Sequence, residues 1–565
     1  MSHGEAQPDA PLSRAGHGAA APGEYRNMLR APAEDERGGW PGLGPGAEAR
    51  FARLTTAISD ARFWTAPLPP AEGEPAPKAA DENPGMPAGY TYLYQLAAHD
   101  LLQTTLDFPG LTDADPARLR NLRTLRFDLD TLYGRGPGGD PQAYAIETAS
   151  DAARGARFRL SPGGPDAGLG AWDRRPADRD IGRAMDAAQD AAPRAGATDA
   201  MLADPRNDDN GLLSQVSTLF MHVHGILFDA ALSAVAERRQ DGGPRPMAER
   251  RAAAFAAART LVERMWRRIL AQDLAPRLLD PAIARMLADG ALAPLDPGGA
   301  MPLELSHAVL RSGHVMARKS YRFRQGAAPK SIEEVLLQSS RGRALRMPAT
   351  ADWVAQWSCF FEVNPHMPPQ LARRLGPSQP RRLDKPHHRL PNDRGDPQHP
   401  LSRIDQIRGA RADLWKPEAL IAALVGALPA LGDLDGLGMD EDAVAARRRR
   451  VADWTARYAA HPFSAHDAAT LAEDPPLKLF VEIEAAALRG GRGYGPLGSV
   501  LLGALFHAAL GSETAEGDAL GARLADAAPE SEAETIRAAE AVADMPALLR
   551  FLAPRIAPAP GLPFL

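Results

Sequence analysis

The sequence contains a single cysteine, Cys359, among its 565 residues. One thiol excludes a disulfide within the chain, and it excludes a zinc or iron–sulfur site built from cysteines. Cys359 lies in the mostly apolar stretch 356–361, which is typical of an inert buried thiol rather than of a nucleophile. We therefore place no disulfide, thiolate metal site or reactive thiol in this chain.

The chain also lacks a run of eighteen apolar residues, a strong net charge and a typical leader. Without such a run we expect no transmembrane helix. The net charge is −6 with Arg and Asp interspersed, so we expect neither nucleic acid nor an anionic membrane as the main partner. The first residues show no basic and then apolar pattern. We expect a cytoplasmic protein by default, with export by a route without a cleaved signal left open.

Helical patterning dominates what is present. Leu212, Val216, Leu219 and Val223 recur at three- and four-residue spacing and predict an amphipathic helix over 212–239. Further helices are predicted at 247–273, 302–319, 331–338, 348–362, 416–428, 440–460, 476–488, 495–511 and 532–551. Alternating strand patterns are few and short, with 144–147 and 157–160 the best. The sequence predicts a mainly α fold with an irregular N-terminal arm over 1–45 and one large domain over 46–565.

Two stretches carry candidate chemistry in the first quarter of the chain. In a helix, Gln95 and His99 share a face one turn apart, whereas Asp100 points to another face. A lone histidine in such a helix is often a packed core residue. Downstream, Thr124, Asp128 and Asp130 offer the hard oxygen ligands that calcium prefers, although a turn capped by aspartates has the same pattern.

Two more stretches stand further along the chain. Arg206 precedes the predicted 212–239 helix, where a cation meets the positive end of the helix dipole and usually has an anionic partner. Gly313 beside His314 suggests the close approach of something flat or bulky, because glycine weakens a helix by about 1 kcal/mol. The alternative is a core histidine with a tolerated glycine.

Taken together, these stretches resemble the animal-type haem peroxidase superfamily, including its bacterial members, over residues 83–511. The resemblance is carried by the block from Asn83 to Gly134, by Asp204–Asp208, by Arg311–His314, by Pro475–Leu477 with Arg489–Gly491, and by Gly495–Gly498. It implies one large, mainly helical domain. It also implies a peroxidase that reduces hydrogen peroxide and oxidises a small organic or (pseudo)halide donor through a ferryl state.

The resemblance assigns a role to each matching residue. It makes His99 the distal acid/base, Arg206 the distal arginine, Gln95 the distal amide and His314 the ligand of the haem iron. Arg311 and Arg408 match the arginines of the haem propionates, Asp405 the partner of the iron-bound histidine, and Thr104 and Asp209 further haem contacts. The calcium ligands would be Asp100, Thr124, the carbonyl of Arg126, Asp128 and Asp130.

The chain also departs from the family pattern. Ala98 and Asn210 stand where relatives form an ester and a sulfonium link to haem, and Asp209 is one methylene shorter than the usual glutamate. We therefore expect haem b that is non-covalent or tethered once, together with calcium. Asp405 replaces the usual asparagine, which would lower the iron potential and disfavour chloride as a donor.

Two other functions remain open. One is a haem-dependent fatty-acid or lipid oxygenase of the same superfamily. The dioxygenases of that superfamily need a tyrosine three residues before the iron-bound histidine, and this chain has Arg311 there. The other is a non-catalytic haem-fold binding protein, which would have no need to keep His99, Arg206 and His314.

Overall fold

The structure is a computed structural model whose helices pack around one contiguous apolar core. The described residues are 23–38, 47–58, 81–104, 120–145, 155–160, 179–185, 198–237, 243–339, 351–380, 383, 401–458, 463–511, 519–556 and 563–565. Within these ranges, helical residues far outnumber strand residues, which confirms the mainly α class.

The α-helices, numbered in chain order, are α1 (Ala47–Ile58), α2 (Gly89–Leu101), α3 (Asp130–Tyr133), α4 (Gly211–Ala234), α5 (Met247–Ile269), α6 (Ala275–Leu278), α7 (Pro281–Ala288), α8 (Leu310–Ser312), α9 (Ile332–Ser339), α10 (Leu401–Arg411), α11 (Pro417–Ala427), α12 (Glu441–Ala456), α13 (Ala465–Glu473), α14 (Leu477–Arg489), α15 (Pro496–Leu510), α16 (Leu520–Ala527), α17 (Glu530–Glu540) and α18 (Met545–Leu552). The strands are β1 (Tyr25–Arg26), β2 (Glu82–Pro87), β3 (Arg183–Met185), β4 (Thr198–Ala200), β5 (Met301–Pro302), β6 (Ser320–Tyr321), β7 (Lys330–Ser331) and β8 (Leu371–Arg373).

The helix α4 forms the centre of the molecule together with α5 and α2, which pack along it. It begins where the side chain of Asn210 accepts hydrogen bonds from the backbone N–H groups of Leu212 and Leu213, at 3.2 and 2.8 Å. Such an N-cap satisfies amide groups that the first helical turn leaves unpaired. By length and composition α4 is able to cross a bilayer, but 67% of its most apolar stretch is buried inside the protein. Its apolarity therefore fits a core helix.

The strands form short two-stranded ladders in the described part of the chain. β2 pairs antiparallel with β8, and β3 pairs antiparallel with β4. β2 leads directly into α2, because its last residue is separated from Gly89 by Ala88 alone. The small sheet therefore fixes where α2 enters the core.

Three features differ from the helical patterns read in the sequence. The predicted helix 302–319 is divided into a π-helical turn over Leu305–Val309, the short α8, and a 3₁₀ turn over Gly313–Met316. The predicted helix 348–362 is instead two 3₁₀ turns, Ala351–Trp353 and Trp357–Cys359, as far as it is described. The predicted helix 532–551 is the pair α17 and α18. In 348–362 the spacing of the aromatic residues Trp353, Trp357, Phe360 and Phe361 imitated a helical period without a continuous helix.

The segment 23–38 lies inside the arm that was expected to be irregular. It carries β1, which pairs in parallel with β5, and its Tyr25 and Met28 side chains are buried in the core. At the far end of this segment, the guanidinium of Arg30 lies over the ring of Trp415 at 4.6 Å. This part of the arm is therefore packed on the body of the protein, and the division at residue 45 stays a prediction.

Candidate functional site

Helix α2 leaves one narrow face uncovered within an otherwise buried element. Its side chains are buried except for those of Gln95, Ala98 and His99. These three positions are spaced i, i+3 and i+4, so they form a single stripe along the helix. In a core helix such a stripe marks a space that the protein does not fill.

The imidazole of His99 is held in one orientation at the edge of this space. Its Nδ1 lies 3.1 Å from Oδ1 of Asn207. An amide oxygen only accepts, so Nδ1 carries the proton and Nε2 keeps a free lone pair. Burial, followed by the nearby charge of Arg206, lowers the pKa of His99 to about 3. His99 is therefore a neutral base with one unused nitrogen.

Arg206 lies beside His99 but is engaged by the backbone. It sits in the 3₁₀ turn Pro205–Asp208, and its guanidinium donates to the carbonyls of His99 and Leu102 at 3.0 and 2.5 Å. The carboxylate of Asp204 pairs with the same guanidinium at 2.5 Å. The anionic partner expected for Arg206 is thus Asp204, and the C-terminal carbonyls of α2 receive the charge that they favour.

Gln95 is held by Asn210, one of the positions at which the chain departs from the family pattern. The side-chain N–H of Asn210 donates to Oε1 of Gln95 at 3.2 Å while its oxygen caps α4. One asparagine thus joins α2 to the start of α4. Its neighbour Asp209 is partly exposed at the end of the Arg206 turn, where its N–H donates to the carbonyl of Arg206.

His314 and Asp405 lie in contact, as the family resemblance implied. Nδ1 of His314 is 3.1 Å from Oδ2 of Asp405, and the side chains are 34% and 0% exposed. Burial raises the pKa of Asp405, but the opposing charges of His314 and then Lys478 outweigh it and leave the pKa lowered. The buried carboxylate therefore orients the ring through Nδ1 and leaves Nε2 accessible.

A buried ion pair that the sequence did not indicate lies behind Asp405. Nζ of Lys478 donates to Oε1 of Glu482 at 2.6 Å, and the two side chains are 3% and 0% exposed. Both lie on α14, which packs against α10 and α8. A Lys–Glu pair at i, i+4 is common on helix surfaces, so nothing in the sequence distinguished this buried example.

Arg311 and Arg408 bring two guanidinium groups close together on the His314 side. Burial and then the charge of Arg311 lower the pKa of Arg408 to about 10. The Nε of Arg311 donates to the carbonyl of Ser306 at 3.1 Å. Two cations that repel each other at a buried location favour an anion between or beside them, and carboxylates match the fork of donors on arginine.

Gly313 is closely approached by another group, as its place beside His314 suggested. That group is the side chain of Tyr94 on α2. A methyl group at Gly313 would lie 2.8 Å from the ring of Tyr94. The hydroxyl of Tyr94 is 3.0 Å from that of Tyr494, which donates to the carbonyl of Val309 at 2.8 Å. The turn carrying His314 is therefore packed directly against the helix carrying His99.

The oxygen-rich stretch lies on the back of α2. Oδ2 of Asp100 accepts from the backbone N–H of Leu129 at 3.0 Å and from the indole of Trp266 at 3.1 Å. Its Oδ1 is buried and receives no hydrogen bond from the residues that the structure describes. Burial and then the charges of Asp128 and Asp130 raise the pKa of Asp100 well above its usual range.

The other residues that the resemblance assigns to calcium do not all point to one place. The hydroxyl of Thr124 donates to Asp128 at 3.1 Å, and the carbonyl of Arg126 accepts from the N–H of Asp128. Asp130 instead pairs with the guanidinium of Arg259 at 3.0 Å. Thr104 forms an isolated antiparallel bridge with Asn121, three residues before Thr124.

The fold of the chain resembles that of solved haem-peroxidase structures. Peroxidase A from Dictyostelium discoideum aligns with a TM-score of 0.50 and 10% identity, over 92% of this chain and 93% of that protein. The fold is that of the haem peroxidases. Fatty acid alpha-dioxygenases from Arabidopsis thaliana and Oryza sativa align with TM-scores of 0.45 and 0.46 and identities of 10% and 11%, over 84% and 89% of this chain and 72% and 79% of theirs. No protein-family profile and no curated protein sequence matches the chain.

The contact between Gly313 and Tyr94 yields a testable prediction. Gly313→Ala forces a methyl group into the Tyr94 ring, so we expect it to lower the free energy of unfolding by about 1–3 kcal/mol. Urea denaturation measures this effect. The control is Gly426→Ala on α11, where an added methyl group meets nothing within 4 Å. Equal stabilities of the two variants would contradict the packing described here.

Proposed function

We propose that this protein is a haem-dependent oxidoreductase of the peroxidase type. It reduces hydrogen peroxide and oxidises a small organic or (pseudo)halide donor. The observation that carries the proposal is a pair of accessible imidazoles on two elements in direct contact. His99 keeps a free Nε2 because Asn207 binds its Nδ1, and His314 keeps one because Asp405 binds its Nδ1. In this proposal His99 acts as the base and His314 as the ligand of the haem iron.

The residues around His314 fit haem. An iron ligand needs an imidazole whose second nitrogen is held by an acceptor, and the Asp405 carboxylate is that acceptor. The propionates need cationic partners, and the crowded guanidinium groups of Arg311 and Arg408 supply them. Haem, once bound, would supply redox-active iron for the reduction of hydrogen peroxide.

The residues on α2 perform the proton transfers. With haem bound, Nε2 of His99 would accept a proton from hydrogen peroxide and would return it to the oxygen that leaves as water. The guanidinium of Arg206, held beside His99 by Asp204, would stabilise negative charge that develops on the departing oxygen. Gln95, held by Asn210, offers a hydrogen-bonding amide on the same face.

Asp405 also bears on the choice of donor. A carboxylate on Nδ1 gives His314 more imidazolate character than an amide does, and this lowers the iron reduction potential. The lower potential disfavours chloride relative to iodide, thiocyanate and organic donors. The position three residues before His314 is Arg311, which cannot carry the tyrosyl radical of the dioxygenases. We therefore favour the peroxidase over the lipid oxygenase.

The first experiment tests haem binding. We expect protein purified with haem supplied to carry haem by the pyridine haemochrome assay, and His314→Ala to lose most of it. His366→Ala, at an exposed histidine, is the matched control and should keep its haem. Acid-acetone extraction then reports whether Asp209 forms an ester, because an ester keeps the haem with the protein. A wild-type protein without haem would refute the proposed function.

The second experiment tests the role of His99. We expect His99→Ala to keep its haem and to react with peroxide about 10²–10⁴-fold more slowly, because it lacks the base. Stopped-flow spectra of the haem band measure the rate. In the wild type the rate should hold from pH 7 to 4, since the neutral imidazole is lost only as the pH falls through about 3. Equal rates for wild type and variant, or oxygenated products from an unsaturated fatty acid, would contradict the peroxidase reading.

We further propose that calcium binds behind α2. The Asp100 and Asp128 carboxylates are both buried, they repel each other, and one oxygen of Asp100 lacks a hydrogen bond from the described residues. A cation between them would relieve that repulsion. Thr124 and the carbonyl of Arg126 would complete the ligands. Asp130 would serve less directly, because Arg259 pairs with it.

Atomic emission tests the calcium proposal. We expect about one calcium ion per chain in the wild type and a large loss in Asp128→Asn, which halves the buried negative charge. Asp352→Asn, where the side chain is 78% exposed, is the control and should retain the metal. A calcium-free wild type with full haem content would refute this part alone.

A further inference from the structure

The N-terminal segment 23–28 is fastened to the element that leads to His314. β1 pairs in parallel with β5, with Tyr25 opposite Met301. The carboxylate of Glu304 accepts from the side chain of Asn27 at 2.8 Å and from the N–H of Met28 at 2.9 Å. Glu304 immediately precedes the turns that carry Arg311 and His314. The position of Tyr25 is therefore fixed relative to the candidate site.

The phenol of Tyr25 is buried without a hydrogen-bond partner. Its side chain is 9% exposed and packs edge-on against the ring of His307, with centroids 6.4 Å apart. Its hydroxyl forms no hydrogen bond with the residues that the structure describes. A buried hydroxyl without a partner is costly, so a native protein rarely keeps one unless a ligand or water completes it.

The charges of two arginines on different elements act on this hydroxyl. Burial raises the pKa of Tyr25, whereas the charges of Arg311 and then Arg206 lower it, and the net effect is a raised pKa. The phenol therefore stays protonated and is a hydrogen-bond donor. A neutral donor beside two guanidinium groups has the chemistry of a carboxylate-binding site.

We propose that Tyr25 donates a hydrogen bond to a carboxylate held by Arg311, and that this carboxylate is a haem propionate. The proposal rests on the proposed function. The N-terminal segment then covers the edge of the cofactor and slows its release. Tyr25 acts as a cofactor-binding residue that takes no part in proton transfer. None of the site residues predicted from the sequence lies in the segment 23–28.

The test is the rate at which the holoprotein loses haem to an excess of apomyoglobin. Tyr25→Phe keeps the ring against His307 and removes the hydroxyl alone, so we expect haem loss to be about tenfold faster. Tyr458→Phe is the matched control. It removes another buried hydroxyl, which donates to the carbonyl of Ala57 at 3.2 Å, and should leave haem loss unchanged.

Haem dimethyl ester distinguishes the sources of the carboxylate. The methylated propionates are no longer anionic, so we expect wild type and Tyr25→Phe to release this haem at rates that differ much less than they do with haem b. Equal release of haem b by the two proteins would overturn the proposal. So would an effect of Tyr25→Phe confined to the affinity for decanoate, which would assign the carboxylate to an organic acid.

The outcomes separate this proposal from the proposed function. A wild-type protein that takes up no haem refutes the function itself. A wild-type protein that holds haem equally well with and without the Tyr25 hydroxyl refutes only the role of Tyr25. Thermal unfolding of the haem-free proteins checks the fold, and we expect the two to unfold at similar temperatures because the ring and its packing are unchanged.

Discussion

The rotation of α2 about its own axis is the constraint on which the rest of the site depends. Successive residues of a helix point about 100° apart, so fixing Asp100 also fixes where His99 points. The Asp100 carboxylate is held at the back of the helix by the N–H of Leu129 and the indole of Trp266. At the C-terminal end, Arg206 binds the carbonyls of His99 and Leu102. His99 therefore faces the uncovered side of α2, because Asp100 is held on the back of the helix and Arg206 holds its C-terminal end.

Buried charges occur throughout the site, and most have partners. Arg206 pairs with Asp204, Lys478 pairs with Glu482, and Arg183 binds both Asp180 and Asp208. Pairing of this kind offsets the desolvation of ions that would otherwise be very costly to bury. Like charges also lie close together at two places, Arg311 with Arg408 and Asp100 with Asp128, and these are the groups to which we assign ligands.

Much of this arrangement was predictable from local patterns. The spacing of Gln95, His99 and Asp100 places their side chains correctly, because α2 is a regular helix along its whole length. The contact of His314 with Asp405 was predicted from a family resemblance and is present. The helices that the sequence predicted wrongly have one physical origin in common. In 302–319 and 348–362 the packing of buried side chains overrides local preference, so one predicted helix is broken and the other is replaced by 3₁₀ turns.

The sequence by itself determined the mainly α class and the order of the candidate site residues, since helical periodicity and short motifs depend only on neighbours in the chain. It said nothing about which faces are covered. No local pattern distinguished Lys478 and Glu482, Gly313 suggested only the close approach of something flat or bulky, and the segment 23–28 fell within the arm expected to be irregular. Only the tertiary structure buried Lys478 and Glu482 behind Asp405, packed Tyr94 over Gly313, and set the ring of Tyr25 against that of His307. Burial depends on residues hundreds of positions apart, and no local pattern encodes it.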